Sequence, residues 1–379
     1  MKITNVETYP VFNGMRNWLF VTVDTDEGIG GIGESNLTSR EEAVIGFVNH
    51  VKPLLIGQDA TRIEHLWQAL SRGGFFPADR VGASAIAAID TALWDIAGKA
   101  HGVPVYQLLG GLVRDKVICY PHNAGESGSV EGLIESCRRT MALGYRFVRW
   151  GLPTEGEVLE PRQAVRTALR QCEALRSALG DEVEICLDVH ARLDPVDATM
   201  LCREIEAYRP YFVEDPLRSE DTNAYRALRM RTGVPLAAGE QFAGKWDYRQ
   251  LIEEDLIDYA RVDPTLGGGI TESKKIAGWC ETHYINLAPH NPNGPVSTAA
   301  CLHLCLSCPN VGVLELPQPT GLALPDVFPV VPSFADGYLL PPTQPGLGVA
   351  FDRDAARRYP FQMVELPHLR RLDGAFTNW

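Results

Sequence analysis

The chain has 379 residues, more than one hydrophobic core usually supports, so a barrel-sized unit with an added domain is the natural division. A formal net charge of −13 argues against a nucleic-acid partner, because phosphate backbones are held by Lys and Arg; it leaves room for a small anion held by a local metal. The nine cysteines, an odd number scattered through predicted strands and helices, read as reduced side chains of a cytoplasmic protein.

The opening MKITNVETYPVF alternates apolar and polar residues and has no long apolar stretch, so it reads as a strand and not as a signal peptide. WLFVTVDT, the turn Asp26-Glu27-Gly28 and GIGGIGE complete a small antiparallel sheet. Three helical patterns follow: REEAVIGFVNHVKPLL, IEHLWQALSR and SAIAAIDTALWDIAGKAHG. Between the last two lies the loop GGFFPADRVGA, whose adjacent Phe75 and Phe76 either form a lid over a ligand or pack on their own domain; Phe76 is a candidate substrate contact. No run approaches the length of a transmembrane helix, so no membrane partner is expected.

From Val117 the pattern changes to strand, helix, strand. VICYPHNA, FVRWGL, EICLD, YFVE, PLAAGE, YARVD, INLAPH and GVLE make eight apolar runs, the number that closes a barrel. Helical segments such as LIESCRRTMALGY and AVRTALRQCEALRSALG fill the intervals. The expected fold is α/β, a modified (β/α)8 barrel over residues 116–340 preceded by an α+β domain over 1–115. The Pro-rich stretch after Leu316 is irregular, and residues 341–379 are expected to return to the first domain.

Asp188, Glu214, Glu240, Asp263, His290 and Glu315 end six of these runs, at intervals of 26, 26, 23, 27 and 25 residues. A lone acidic residue after a strand is usually a helix N-cap or a loop residue. Six in succession at one end of consecutive strands describe a site on the face where such barrels do chemistry. Three carboxylates suit a hard divalent cation, and a histidine beside a carboxylate adds a base matched to neutral pH.

At these residues the chain resembles the enolase superfamily, in particular the mandelate racemase branch and its acid-sugar dehydratases, similar to galactonate and mannonate dehydratase. The motifs that carry the resemblance are ALWDIAGKAHGVPVYQLLGG, LDVHAR, FVEDP, AAGEQF, DPTLGGGITESKKIA, APHNPNGP, the Glu of LELPQ and PGLGVAFD. The resemblance implies that the first domain caps the barrel. It implies that Asp188, Glu214 and Glu240 hold one Mg²⁺, that Asp263 and His290 form a base dyad, and that Glu315 hydrogen-bonds the enolised carboxylate of the substrate. It makes His190, two residues beyond Asp188, the acid that protonates a departing 3-hydroxyl; if the strand continues, both side chains share a face.

The second barrel strand departs from the racemase pattern, which carries Lys-x-Lys where this chain has Phe147-Val148-Arg149. Arginine stays protonated and is a poor base, which disfavours two-base racemisation. Arg149 is read as an electrostatic contact to substrate, or else as a salt bridge to a structural carboxylate. The Tyr that mannonate-type dehydratases pair with such an Arg is missing from GLPTEGEVLEPR. Arg192 contacts substrate hydroxyls or a loop carboxylate, and His122 at the end of the first barrel strand is a further substrate candidate. Cys301, Cys305 and Cys308 lie at helical spacing without a neighbouring ligand set and read as core. The expected activity is Mg²⁺-dependent dehydration of a small-molecule sugar acid, an aldonate or aldarate, to a 2-keto-3-deoxy acid by a homo-oligomer. The alternatives are an epimerase, racemase or cycloisomerase working through the same enolate, and a non-catalytic barrel scaffold.

Overall fold

The computed structural model describes residues 1–124 and 129–378. The alternating N-terminal segment forms β1 (Ile3–Phe12), β2 (Asn17–Thr25) and β3 (Gly30–Ser35), an antiparallel sheet in that order. Helices α1 (Glu41–Leu55), α2 (Ile63–Arg72), α3 (Arg80–His101) and the short α4 (Val105–Leu108) follow. The side chain of Asp79 accepts the Gly82 N–H and starts α3 at Arg80, so Arg80, Val81, Gly82 and Ala83, read from sequence as loop, are helical.

The glycines of GIGGIGE let α3 lie directly on the sheet. A Cβ on Gly33 would stand 1.8 Å from the Ala88 carbonyl oxygen, and one on Gly31 would stand 2.0 Å from that of Ala92. By length and composition α3 alone among the described helices is apolar enough to cross a membrane, an exception to the reading above. The packing gives the reason: Ala85, Ala88, Ala92, Ile89 and Ile96 are buried in the core of the first domain, so the apolar run is a core helix.

The barrel alternates β4 (Val117–Tyr120), α5 (Val130–Ala142), β5 (Phe147–Gly151), α6 (Pro161–Leu179), β6 (Glu184–Asp188), α7 (Pro195–Ile205), β7 (Phe212–Glu214), α8 (Asn223–Arg229), β8 (Leu236–Ala238), α9 (Lys245–Glu253), β9 (Tyr259–Ala260), α10 (Gly269–Thr282), β10 (Asn286–Leu287), α11 (Pro295–Leu306) and β11 (Leu314–Glu315). Strands β5 to β10 make one parallel sheet, and β11 pairs in parallel with β4. One seam closes where Gly312 N donates to Leu287 O (2.8 Å), the other where Asn123 N donates to Arg149 O (2.7 Å). The second seam is short because a hairpin, β12 (Phe334–Ala335) and β13 (Tyr338–Leu339), adds antiparallel to β4. Tyr120, Phe147, Cys186, Phe212, Ala237, Ala288 and Val313 fill the interior.

Three consecutive residues at the end of β3 and just beyond dock the first domain onto the barrel. Glu34 accepts the N–H groups of Gly294 (2.7 Å) and Ser297 (2.8 Å) at the start of α11. Ser35 meets Ser84, whose hydroxyl donates to Thr265 O (2.9 Å), and Asn36 N donates to Thr265 O (3.2 Å). From α3, Asp90 accepts Thr271 N (3.0 Å) at the start of α10. Negative charge at helix N-termini suits the helix dipole.

The chain then crosses the first domain once more. Arg353, in the short α12 (Arg353–Ala356), pairs with Asp24, and Gln362 N donates to Asn17 Oδ1 (3.0 Å). Residues 370–378 go on to the barrel mouth: Arg370 N donates to Glu157 O and Leu159 N to Arg370 O, both at 2.9 Å. All nine cysteines are free and buried, Cys305 and Cys308 at Cys-x-x-Cys spacing included.

Candidate active site

Three of the six predicted residues, Asp188, Glu214 and Glu315, are the last residues of β6, β7 and β11. Glu240, Asp263 and His290 lie two to three residues beyond β8, β9 and β10, where the backbone has left the ladder but still points into the mouth. The strands are therefore shorter than the apolar runs suggested, and the convergence is the same.

Oxygens of Asp188, Glu214 and Glu240 lie within 4.8 Å of one another. Glu240 Oε2 is buried without a hydrogen-bond partner; so is Glu214 Oε1, although Arg261 Nη2 lies 2.7 Å away, outside hydrogen-bonding direction. Oxygen-only donors, two of them orphaned, fit a hard divalent cation. The wider charge balance agrees. Among the described residues, Arg149 and Arg261 are the guanidiniums at ion-pair distance from Asp188, Glu214, Glu240 and Glu315, two cations to four carboxylates, a surplus of negative charge that a divalent cation offsets.

Opposite the triad, His290 Nδ1 is 2.8 Å from Asp263 Oδ2, which fixes the ring so that Nε2 lies 3.7 Å from Glu240 Oε2. Burial pulls the His290 pKa down, but the carboxylates of Glu240 and Glu315 and the bond to Asp263 outweigh it and hold it at about 9. Glu240 is the largest of the raising causes and belongs to the triad, so a divalent cation held there would lower the pKa again, toward the neutral imidazole that a general base needs.

Strand β6 stops at Asp188, so the expected extended path to His190 is not taken. His190 and Ala191 are left-handed, each at φ +54°, and the His190 N–H caps Asp188 Oδ1 (2.8 Å). The turn still brings His190 Nε2 to 2.8 Å from Asp188 Oδ2. Burial, then the cations of Arg149 and Arg192, hold the His190 pKa well below its usual value.

Arg149 forms an ion pair with Asp188 and lies 3.7 Å from Glu214 Oε1 and 3.4 Å from His190 Nε2. It belongs to the carboxylate cluster and is not spread toward solvent. Arg192 donates to Leu152 O (3.1 Å), a loop carbonyl. His122 bonds Glu315 Oε1; burial and Arg149 lower its pKa to about 4. Phe76 does not pack on its own domain. It is 83% exposed, edge-on to Phe75, although Arg80 ties the far end of its loop to Gln241 O (2.8 Å).

Sequence reasoning missed Arg261, whose side chain is wholly buried among Glu214, Glu240 and Glu315 and donates to Ala288 O (2.9 Å). Its signal was a charged residue inside an apolar run, two places before Asp263 and so on the same face. Burial raises the Glu315 pKa, but Arg261, His290 and His122 prevail and hold it well below the carboxylate range. Glu315 also accepts Asn291 N (3.0 Å), so it is an ionised acceptor on both oxygens. Tyr120, whose hydroxyl donates to Glu214 Oε2 (3.2 Å), and Asn36 were missed as well.

A capped barrel with a carboxylate triad facing a His–Asp pair defines a metal-assisted acid–base enzyme. Residues 132–355 match the enolase C-terminal domain-like family model, and residues 12–110 match the N-terminal domain of mandelate racemase and muconate lactonizing enzyme. The chain belongs to the mandelate racemase/muconate lactonizing enzyme family of the enolase superfamily. A D-mannonate dehydratase of Caulobacter sp. strain K31 is 38% identical, with 96% of each chain covered. A D-galactonate dehydratase of Ralstonia pickettii is 37% identical over 100% of both. The crystal structure of an enolase from Pantoea ananatis with bound D-gluconate and Mg superposes over 100% of both chains, with a TM-score of 0.94 and 32% identity.

Proposed function

We propose that the chain is a Mg²⁺-dependent hydro-lyase that converts a sugar acid, an aldonate or aldarate, to its 2-keto-3-deoxy acid. The observation that carries this reading is the oxygen-only triad of Asp188, Glu214 and Glu240 facing the His290–Asp263 pair. Relatives named for sugar-acid dehydration, alike over nearly their whole length, support it. Residues 1–115 act as the cap and 116–340 as the catalytic barrel, and the segment from 341 crosses back over the cap before its residues 370–378 reach the barrel mouth.

Asp188, Glu214 and Glu240 would hold the metal, which when bound supplies Lewis-acid stabilisation of the charge that builds on a carboxylate as its α-proton leaves. His290 Nε2 takes the proton from C2, and Asp263 holds Nδ1–H so that the lone pair faces the mouth. Expulsion of the 3-hydroxyl then needs a proton; His190 stands beside Asp188 to deliver it, and the negative charge of a bound acid sugar would raise its depressed pKa toward the acid form. The enol that leaves becomes the 2-keto acid. Glu315 contributes by anchoring the buried Arg261 and the half-buried His122, and Arg149 balances the charge of Asp188. Arg149 cannot act as a second base, so the C2 epimer is not formed.

The test is a screen of acid sugars, D-mannonate, D-galactonate and D-gluconate among them, for 2-keto acid formation with and without Mg²⁺. A C2 epimer without keto acid refutes the reading.

A further inference from the structure

Asp263 accepts four hydrogen bonds, and one of them comes from the other domain. Thr265 N (2.7 Å) and Thr265 Oγ1 (2.6 Å) donate to Oδ1. His290 Nδ1 (2.8 Å) and Asn36 Nδ2 (2.9 Å) share Oδ2. Asn36 lies just past β3 in the first domain, 227 residues from Asp263 in sequence. Its amide is oriented by chemistry on both sides: Oδ1 accepts the Thr38 hydroxyl (3.4 Å), and only the NH₂ side can face a carboxylate. Its own N–H is fixed to Thr265 O, so the side chain hangs from a backbone already docked on the loop that carries Asp263.

We infer that Asn36 is a positioning residue for the general base, through which the first domain sets the direction of the His290 imidazole. This rests on the dyad reading above. The oxygen that Asn36 holds is the one that accepts the hydrogen bond from His290 Nδ1–H. The plane of that carboxylate decides where Nε2 points, and a base displaced by part of an ångström loses rate without losing substrate. Without Asn36, Oδ2 keeps His290 as its single donor, and the carboxylate is anchored from the Thr265 side alone. The base is thus assembled across the domain boundary and is complete only when the end of β3 is seated.

Asn36→Leu removes the donor at nearly the same volume, and Asn36→Asp sets a carboxylate against Oδ2 at the same shape. Both are assayed as the full-length Mg²⁺-loaded enzyme with the acid sugar that the screen identifies. The expected result is a fall in kcat of about 10- to 100-fold with KM within about twofold, larger for Asp than for Leu, and a parallel fall in C2 hydrogen–deuterium exchange. Unchanged kcat, or a change confined to KM, overturns the inference. His290→Asn run alongside separates it from the dyad reading: exchange retained in that variant refutes the dyad itself. A second readout needs no turnover. The downfield proton resonance of His290 Nδ1–H, assigned by its loss in His290→Asn, is expected to shift or broaden in Asn36→Leu. An unmoved resonance overturns the inference equally.

Discussion

Glu34 offers a test of how the two domains are held, through the pH dependence of stability. Its carboxylate is 1% exposed and bonded to two backbone N–H groups at the start of α11. Burial raises its pKa from 4.5 to about 7, in spite of those two bonds. The folded state therefore binds the Glu34 proton more tightly than the unfolded state does. Stability from this group is fully present below pH 4.5 and is lost as pH rises through 7. Between pH 5 and pH 8 the loss amounts to about 2–3 kcal/mol. Glu34→Gln abolishes the titration. It also turns an NH₂ toward one N–H of α11, at a pH-independent cost of about 1–2 kcal/mol. The variant should thus be less stable than the parent at pH 5 and equal to or more stable than it at pH 8. Urea unfolding in EDTA, followed by tryptophan fluorescence at both pH values, measures the difference. A gap between the two proteins that stays constant with pH, or that widens in favour of Glu34 at pH 8, refutes the argument.

Three further outcomes are expected. Glu214→Gln should lose Mg²⁺ affinity by calorimetry and turnover by about 10²-fold or more while keeping its far-UV spectrum, and full activity of EDTA-treated parent enzyme would contradict the metal assignment. His190→Asn should stop keto acid formation yet retain C2 deuterium exchange, since the His290–Asp263 pair is untouched; joint loss of both would move His190 into the first proton transfer. Gly33→Ala should lower stability by roughly 3 kcal/mol, the upper end of overpacking, because the new Cβ meets the Ala88 carbonyl at 1.8 Å; an unchanged melting temperature would mean that β3 and α3 are less closely packed.

The barrel was legible because its signal is periodic. An apolar run every 25 residues or so, each closed by a polar side chain, survives errors of two or three residues in strand ends, as Glu240, Asp263 and His290 demonstrate. Residues whose importance lies in long-range pairing were harder. Asn36 carries no local mark, since its partner is 227 residues away. Arg261 was hidden in a run judged by its apolar neighbours, and its burial became explicable only once three carboxylates were seen around it. His190 illustrates the opposite case: proximity to Asp188 was foreseen on the premise of a continuing strand, and the chain reaches the same place through a left-handed turn. Alternation cannot report φ.

Arg370 and Asn378 pair with segments that flank the site. Residue 370 bonds Glu157 and Leu159 in the loop after β5, which carries Arg149, and Asn378 Nδ2 is 3.4 Å from the carbonyl of Arg192, in the loop after β6 that carries His190. The loops after β5 and β6 are thereby tied to one another through a third segment, 186 residues from Arg192 at Asn378, so a substitution at Asn378 reaches the mouth of the barrel without touching a side chain of the site.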